Sequence, residues 1–178
     1  MHSFASLCLL ALFASSDGSK MGPLGTILLD SIETCPDIVA DEVHLSTNLQ
    51  SIDSDTKALF ANISTNIAID DTITYKMDIR KWDSGWKPEF VHSGTLCPDI
   101  NQYAPNLWKN FKLSTRPEIS DKCSLEPGDY TIEMFQSKTK DFDIPSIFYG
   151  MMRVKIVAMK GHKEIACIVI EGNSQAPK

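Results

Sequence analysis

The chain has 178 residues, of which 43% are hydrophobic and 22% are charged, and these proportions fit one globular domain with a substantial core. Its net charge is −6 and it contains no basic block, so nucleic acid is not an expected partner. An anionic membrane would also repel the molecule as a whole at neutral pH, and less so in an acidic compartment where carboxylates are protonated.

The N-terminus carries a short apolar run over residues 4–14. The run is too short to span a bilayer, which needs about 20 residues. Small residues follow it, and this order predicts a signal peptide over residues 1–18 that leaves residues 19–178 as a single exported domain. The alternative is a buried N-terminal helix, which Gly18 and Pro23 disfavour because they end the run abruptly.

Removal of the signal peptide removes Cys8 and leaves an even number of cysteines: Cys35, Cys97, Cys123 and Cys167. An even number in an exported chain indicates two disulfides, with three possible pairings. The cysteines form no C-x-x-C pair and no histidine stands at ligand spacing, so no metal site is expected. Asn62 begins the sequence Asn-Ile-Ser, which predicts a glycosylation site, although such a short match also occurs at unmodified surface asparagines.

The first half of the domain contains two predicted strands. Residues 59–69 are predicted to form a strand in which Asn62 faces outward. Residues 72–81 alternate strictly between apolar and polar side chains, which is the period-two pattern of a half-buried strand. Residues 105–111 are the best helix candidate, because Pro105 suits a first helical turn and the apolar side chains that follow fall on one side.

The second half contains three more strands. Residues 130–135 and 152–158 alternate, and residues 165–170 are nearly continuously apolar, as expected of a strand buried on both faces. Residues 160–163 form a turn that predicts a hairpin between the last two strands. Many short strands separated by turn residues indicate an all-β sandwich or cup with little helix.

The sequence gives no positive indication of catalysis. It lacks the nucleophile elbow, the zinc-protease motif, the phosphate-binding loop and the EF-hand series. His44, His92 and His162 are scattered, and the paired acids lie in turn-like sequence. No catalytic residue and no cofactor are therefore predicted, and the protein is not expected to be an enzyme. A secreted lipid hydrolase stays open as an alternative that requires a buried histidine–acid pair, since triads are assembled in space.

Large apolar side chains stand where loops are expected. Ile147, Phe148 and Tyr149 follow one another between Pro145 and Gly150, and such a segment either plugs the core or forms an exposed docking surface. Trp82 and Trp86 flank another turn. Several methionines lie in predicted strands and are either core filler or an adaptable wall for flexible acyl chains: Met77, Met134, Met151 and Met152.

These residues resemble the ganglioside activator family of sphingolipid activators, its secreted invertebrate members and, more distantly, the ML lipid-recognition domains. The resemblance is best in the last third, from a Cys-x-x-x-Pro-Gly-Asp-Tyr segment at Cys123 through an Ile-Pro-Ser loop ending at Gly150 to Arg153 and the closing strand with Cys167. Upstream, Cys35, the sequon at Asn62 and Trp86 occur in the family's order.

The resemblance implies a two-layer antiparallel β-cup, an open sandwich with an apolar cavity and one short helix. It also implies the pairings Cys35–Cys167 and Cys97–Cys123. Residues 147–149 would then form the lip of the cavity, and the lipid-contacting set would be Trp86, Ile147, Phe148, Tyr149, Met77, Met134 and Met152.

The function implied is that of a secreted or lysosomal protein that holds the acyl chains of a lipid and carries or presents it to another protein. The lipid would be a glycolipid, a phospholipid or a fatty acid, with transient contact to a membrane surface. A hydrolase that the protein activates, or a receptor, would be the protein partner. The alternative from another class is a sensory or receptor-accessory interaction module with a filled core and no lipid transfer.

Overall fold

The structure is a computed structural model that describes residues 21–37, 41–53, 56–120 and 123–177. The predicted signal peptide, residues 1–18, lies outside the described residues. The described chain is mostly β, with several antiparallel sheets and two short helices. The all-β class predicted from the sequence is therefore confirmed.

Five long strands form the larger sheet, in the order β2-β11-β10-β5-β6. Every neighbouring pair in it is antiparallel. The strands are β2 (Thr26–Thr34), β5 (Ile73–Trp82), β6 (Trp86–Thr95), β10 (Gly150–Lys160) and β11 (Lys163–Gln175).

A second sheet has the order β3-β4-β8-β7, again antiparallel throughout. Its strands are β3 (Val43–Ser51), β4 (Lys57–Thr65), β7 (Thr115–Arg116) and β8 (Gly128–Phe135). Two short strands, β1 (Met21–Gly22) and β9 (Ile147–Phe148), pair with each other.

The strands predicted from period-two patterns are present. The 72–81 pattern corresponds to β5, the 152–158 pattern to β10, and the turn at 160–163 joins β10 and β11 as a hairpin. β11 is buried less evenly than its apolar sequence predicts, because only Ile165, Cys167 and Ser174 in it are fully covered.

Two helices are present where the sequence predicted one. α2 (Pro105–Leu113) is the predicted helix and packs Trp108 and Phe111 against a buried cluster that contains Ile119 and Leu125. α1 (Leu96–Tyr103) was not predicted, since Pro98 interrupts its sequence. Proline is tolerated there because it lies in the first turn, where its missing N–H would have no helical partner.

The two larger sheets meet along β2, β3 and β11, with matching ends. The Lys163 ammonium contacts the Glu42 carboxylate, just before β3 begins, and Lys160 Nζ donates to the Ala68 carbonyl at 3.4 Å. At mid-strand, Thr47 Oγ1 donates to the Ile32 carbonyl at 2.7 Å. The sheets are therefore joined by polar contacts along β3 and the β10–β11 turn.

Two disulfides, Cys35–Cys167 and Cys97–Cys123, give the pairing that the family resemblance implies. Both disulfides lie toward the end of the sheets that contains the β10–β11 turn. Cys97 is in the first turn of α1, which follows β6 directly, and the end of β6 pairs with the start of β5, beside that turn. We call this end the disulfide end. The distal end is the opposite one, which contains the β5–β6 turn, Gly150 and the β3–β4 turn.

Among the residues that the structure describes, no helix combines the length and the apolarity needed to cross a membrane.

Candidate functional site

One face of the larger sheet is apolar, and the other carries charged side chains. The strand register puts six side chains of β5, β10 and β11 on the apolar face: Met77, Ile79, Val154, Ile156, Ile168 and Ile170. The opposite face carries Lys76, Arg80 and Lys155, all exposed. The apolar face is therefore the inner face, turned toward the second sheet.

The second sheet presents a matching apolar face. Register and alternation put one set of aliphatic side chains of β3, β4 and β8 on the same side: Leu45, Leu49, Leu59, Ile63 and Ile132. The exposed side chains of β3 alternate with this set, as do Asn62 of β4 and Thr131 of β8. Part of this face is covered by α2, because Ile63 packs against the same buried cluster as Trp108 and Phe111. The rest of the face is apolar as well.

Burial of the inner face of the larger sheet falls from one end of the molecule to the other. At the disulfide end Ile73 is 0% exposed and Tyr75 is 9% exposed. At mid-strand, the six inner-face side chains of the larger sheet are all only partly buried. Aliphatic side chains enclosed between two well-packed sheets are normally fully buried, so this face of the larger sheet is incompletely covered at mid-strand.

Exposed large apolar side chains concentrate at the distal end. Among the described residues nine such side chains are exposed, and six of them lie toward the distal end, on turns, at strand ends or at the end of α2: Met21, Ile52, Trp82, Leu113, Met134 and Met151. The other three are Phe90 and Val91 on the edge strand β6 and Tyr103 at the end of α1. Apolar surface concentrated at one end makes this end the candidate contact site.

The predicted lip segment lies at this end and is only partly exposed. Ile147 and Phe148 pair with Gly22 and Met21 in the small sheet, and Tyr149 donates its hydroxyl to the Pro23 carbonyl at 2.6 Å. All three side chains of the segment are partly buried. The segment is therefore neither a fully buried plug nor a fully free loop, and β1 covers one side of it.

The other predicted lipid-contacting residues fall into three groups. Met77 and Met152 lie on the inner face, whereas Met134 is 54% exposed at the distal end of β8. Trp86 lies on the outer face of the larger sheet, where the Arg153 guanidinium carbon is 4.3 Å from its ring centroid. Trp82, beside it in a T-shaped contact, is the more exposed tryptophan.

A polar cluster joins α1 to the larger sheet near the disulfide end. Asp99 of α1 accepts a hydrogen bond from the Tyr75 hydroxyl at 2.7 Å and lies 3.2 Å from His92 Nε2. Burial, and then the bond to Asp99, raises the pKa of Tyr75. His92 also stacks on Phe90. This is the histidine–acid pair that a hydrolase would need, but it is half-buried and its carboxylate is shared with a tyrosine.

A second polar region lies between α2 and the 3-10 turn Thr139–Asp141. There the surface forms a cleft of about 380 Å3 lined by Asn106, Lys109, Asn110, Lys138, Lys140 and Asp141. A neighbouring cleft of about 370 Å3 is lined by Asn110, Leu113, Ser114, Met134, Gln136 and Lys138. The two clefts share Asn110 and Lys138.

Sequence reasoning missed Leu113, Lys138 and the Asp99–His92 contact. Leu113 ends a helix whose other apolar residues face the core, so its exposure depends on where the helix stops. Asp99 could have been found, because an acid in a first helical turn after Thr95 is a helix-start signal.

No family model matches the chain, and no curated protein sequence matches it significantly.

Proposed function

We propose that this protein binds and transfers lipid, holding acyl chains between its two larger sheets. One observation carries the proposal: the aliphatic inner-face side chains of β5, β10 and β11 are incompletely buried although a second apolar sheet face lies opposite. An acyl chain bound against these side chains would remove them from water, and it has no polar group that needs a hydrogen-bond partner.

The energetics of such binding need only hydrocarbon contact. Each methylene group removed from water contributes about 0.8 kcal/mol. A chain of a dozen methylenes therefore supplies more than enough to offset the loss of its translational freedom and flexibility. The polar head would stay outside, since β5, β10 and β11 present apolar side chains at mid-strand and the polar groups there, His92 and Asp99, contact each other.

The distal end is the proposed entrance. It combines the exposed Met134 with the partly buried segment at residues 147–149, and the exposed Trp82 and Met151 lie at the same end on the outer face. The disulfide end is closed by fully buried side chains and by both disulfides. A lipid that enters between the sheets would therefore enter from the distal end, and this end would touch a membrane transiently.

The resemblance to ganglioside activators supports the same reading and adds a partner. In that reading the protein is secreted or lysosomal, is glycosylated at Asn62 and presents its lipid to a hydrolase or a receptor. Asn62 is exposed on the outer face of β4, where its side chain contacts Ser46 and Thr131, so a glycan there would leave the gap clear.

A second candidate function is an interaction module without lipid transfer. One observation favours it: β6 is an edge strand of the larger sheet, and its Phe90 and Val91 are 48% and 54% exposed. An exposed edge strand with apolar side chains is a place where another chain can pair. A module of this kind would need no gap between the sheets.

Lipid uptake by delipidated protein tests the proposal. In native mass spectra, the protein mixed with a phospholipid or fatty acid should give a one-to-one adduct. Ile156→Trp, on the inner face, should reduce uptake at least tenfold because the indole occupies the acyl site. Lys155→Trp, one residue away on the outer face, is the matched control and should leave uptake unchanged.

Failure to take up phospholipid, glycolipid or fatty acid would overturn the proposal and favour the interaction module. Equal loss of uptake in both tryptophan variants would also contradict it, since only one of the two side chains faces the gap.

A further inference from the structure

We propose that the cleft between α2 and the 3-10 turn Thr139–Asp141 binds the phosphate of an anionic phospholipid headgroup. The side chains of Leu113 and Met134 would insert into the same lipid surface. This inference rests on the proposed lipid-carrier function and specifies which lipid surface the distal end meets.

The charge of the cleft is opposite to that of the whole chain. Lys109, Lys138 and Lys140 line it against a single carboxylate, that of Asp141, whereas the chain carries a net charge of −6. Three ammonium groups around one concavity repel one another, and a bound anion relieves that repulsion. Local attraction therefore opposes the general repulsion between this chain and an anionic membrane.

The turn that presents two of these lysines is fixed by its own carboxylate. Asp141 is 3% exposed, and its Oδ2 accepts the Lys138 backbone N–H at 2.8 Å. The Asp141 N–H donates in turn to the Lys138 carbonyl at 2.8 Å, and Asp143 N–H donates to the Tyr103 carbonyl at 2.7 Å. Asp141 is thus held in the turn, and the lysines are positioned by a folded segment.

The volume and the remaining lining suit a phosphate ester. The cleft of about 380 Å3 is in the range of small-ligand sites. Asn106 and Asn110 add amide N–H donors beside the lysines, and phosphate oxygens accept hydrogen bonds from both groups.

The neighbouring cleft argues for a lipid rather than a free phosphate. It shares Asn110 and Lys138 with the basic cleft and adds Leu113 and Met134, which are 62% and 54% exposed. Met134 has a positive φ of 51° at an irregularity in the pairing of β8 with β4. Such a backbone is costly for a residue other than glycine and is typical of functional positions.

Lysines beside exposed apolar side chains are the combination that binds anionic membrane surfaces. The lysines contact the phosphate while the apolar side chains enter the acyl boundary. The site lies toward the same end as the proposed entrance, because β8 ends there and Phe111 of α2 packs edge-on against Phe135.

Co-flotation with vesicles tests this inference. Wild-type protein should bind phosphatidylcholine vesicles that contain 30% phosphatidylglycerol at least about tenfold more tightly than pure phosphatidylcholine vesicles, and high salt should remove the difference. The double variant Lys138→Glu/Lys140→Glu should lose this preference. Leu113→Ser should weaken binding to both vesicles.

The matched control is Lys76→Glu/Lys155→Glu, which makes the same change in net charge at exposed positions on the outer face of the larger sheet. It should retain at least half of the preference for phosphatidylglycerol. An equal loss in both double variants would overturn the inference, because net charge alone would then explain binding.

Two further measurements distinguish a failure of the headgroup site from a failure of the lipid-carrier function. Glycerol phosphate at millimolar concentration should not displace the protein from vesicles; displacement would mean a site for free phosphate and would overturn the lipid assignment. Uptake of a neutral lipid should be unchanged in Lys138→Glu/Lys140→Glu. Vesicle binding that persists without any lipid uptake would contradict the carrier function and leave the headgroup site standing.

Discussion

The guanidinium of Arg153 is held between Trp86 and Glu171 on the outer face of the larger sheet: its central carbon lies 4.3 Å from the indole centroid, and its Nε donates to Glu171 Oε1 at 2.6 Å. The contact joins β6, β10 and β11 across the sheet. Trp86, predicted to contact lipid, therefore lies against a cation on the outer face of the sheet.

Arg153→Met should therefore destabilise the fold by about 1 kcal/mol, because it removes a cation–π contact and a partly exposed ion pair. Urea unfolding measures the change. Lys155→Met, exposed on the same strand and face, is the control and should change stability by less than about 0.5 kcal/mol. An equal loss of unfolding free energy in the two variants would mean that the contacts of Arg153 with Trp86 and Glu171 do not stabilise the fold.

The two disulfides should differ in their contribution to stability. Cys35–Cys167 closes a loop of 132 residues and Cys97–Cys123 one of 26. The chain-entropy treatment gives about 5 and about 3.5 kcal/mol respectively, as upper-end values. Replacing Cys35 and Cys167 together by serine should therefore lower the unfolding midpoint more than replacing the other pair, as calorimetry can measure. The reverse order would contradict this assignment.

The ion pair between Glu42 and Lys163 should make stability depend on pH in acid. The hydrogen bond from Lys163 lowers the pKa of Glu42 from its ordinary value of 4.5. The unfolded chain then binds a proton more readily than the folded one, so stability is lost as the pH falls below about 4.5 toward the lowered pKa.

Comparison of melting temperatures between wild type and Glu42→Gln measures this effect. Wild type should melt higher above pH 5, and the gap should narrow as the pH drops through 4. A gap that widens toward acid would reverse the predicted sign. The same bond raises the pKa of Lys163, so the gap should also close in strong alkali as that group loses its proton.

Two isoleucines of the larger sheet should respond differently to truncation. Ile73→Ala should cost about 3 kcal/mol, because Ile73 is fully buried and its loss leaves a cavity. Ile156→Ala should cost about 1 kcal/mol, since this side chain is only partly buried. Urea unfolding of delipidated protein measures both, and equal costs would mean that the sheets are closely packed at mid-strand.

The strands could be predicted from the sequence where one face of the sheet is buried and the other is exposed to solvent. In β5 the alternation from Ile73 to Lys81 follows the pleat directly, so the sequence carries both the strand and its inner face. β6 escaped prediction because it is an edge strand. Its exposed Phe90 and Val91 occupy both faces, which removes the alternation that would have marked it.

The contact surfaces depend on tertiary geometry that no local pattern encodes. Whether Ile156 is fully buried depends on the separation between two sheets, which its neighbours in sequence do not determine. The basic cleft joins α2 to a turn some 30 residues later, so Lys109 and Lys140 look like ordinary solvated charges in the sequence. Trp86 faces outward because it pairs with Trp82 across the hairpin.

The most direct test of the lipid-carrier proposal is where a bound acyl chain lies. Protein labelled with 13C at isoleucine, leucine and methionine methyl groups and loaded with unlabelled palmitate should show intermolecular NOEs from the acyl methylenes to the methyls of Ile79, Ile156 and Ile170. Contacts confined to outer-face or edge-strand methyls, or no contacts at all, would contradict the proposal that the space between the sheets holds lipid.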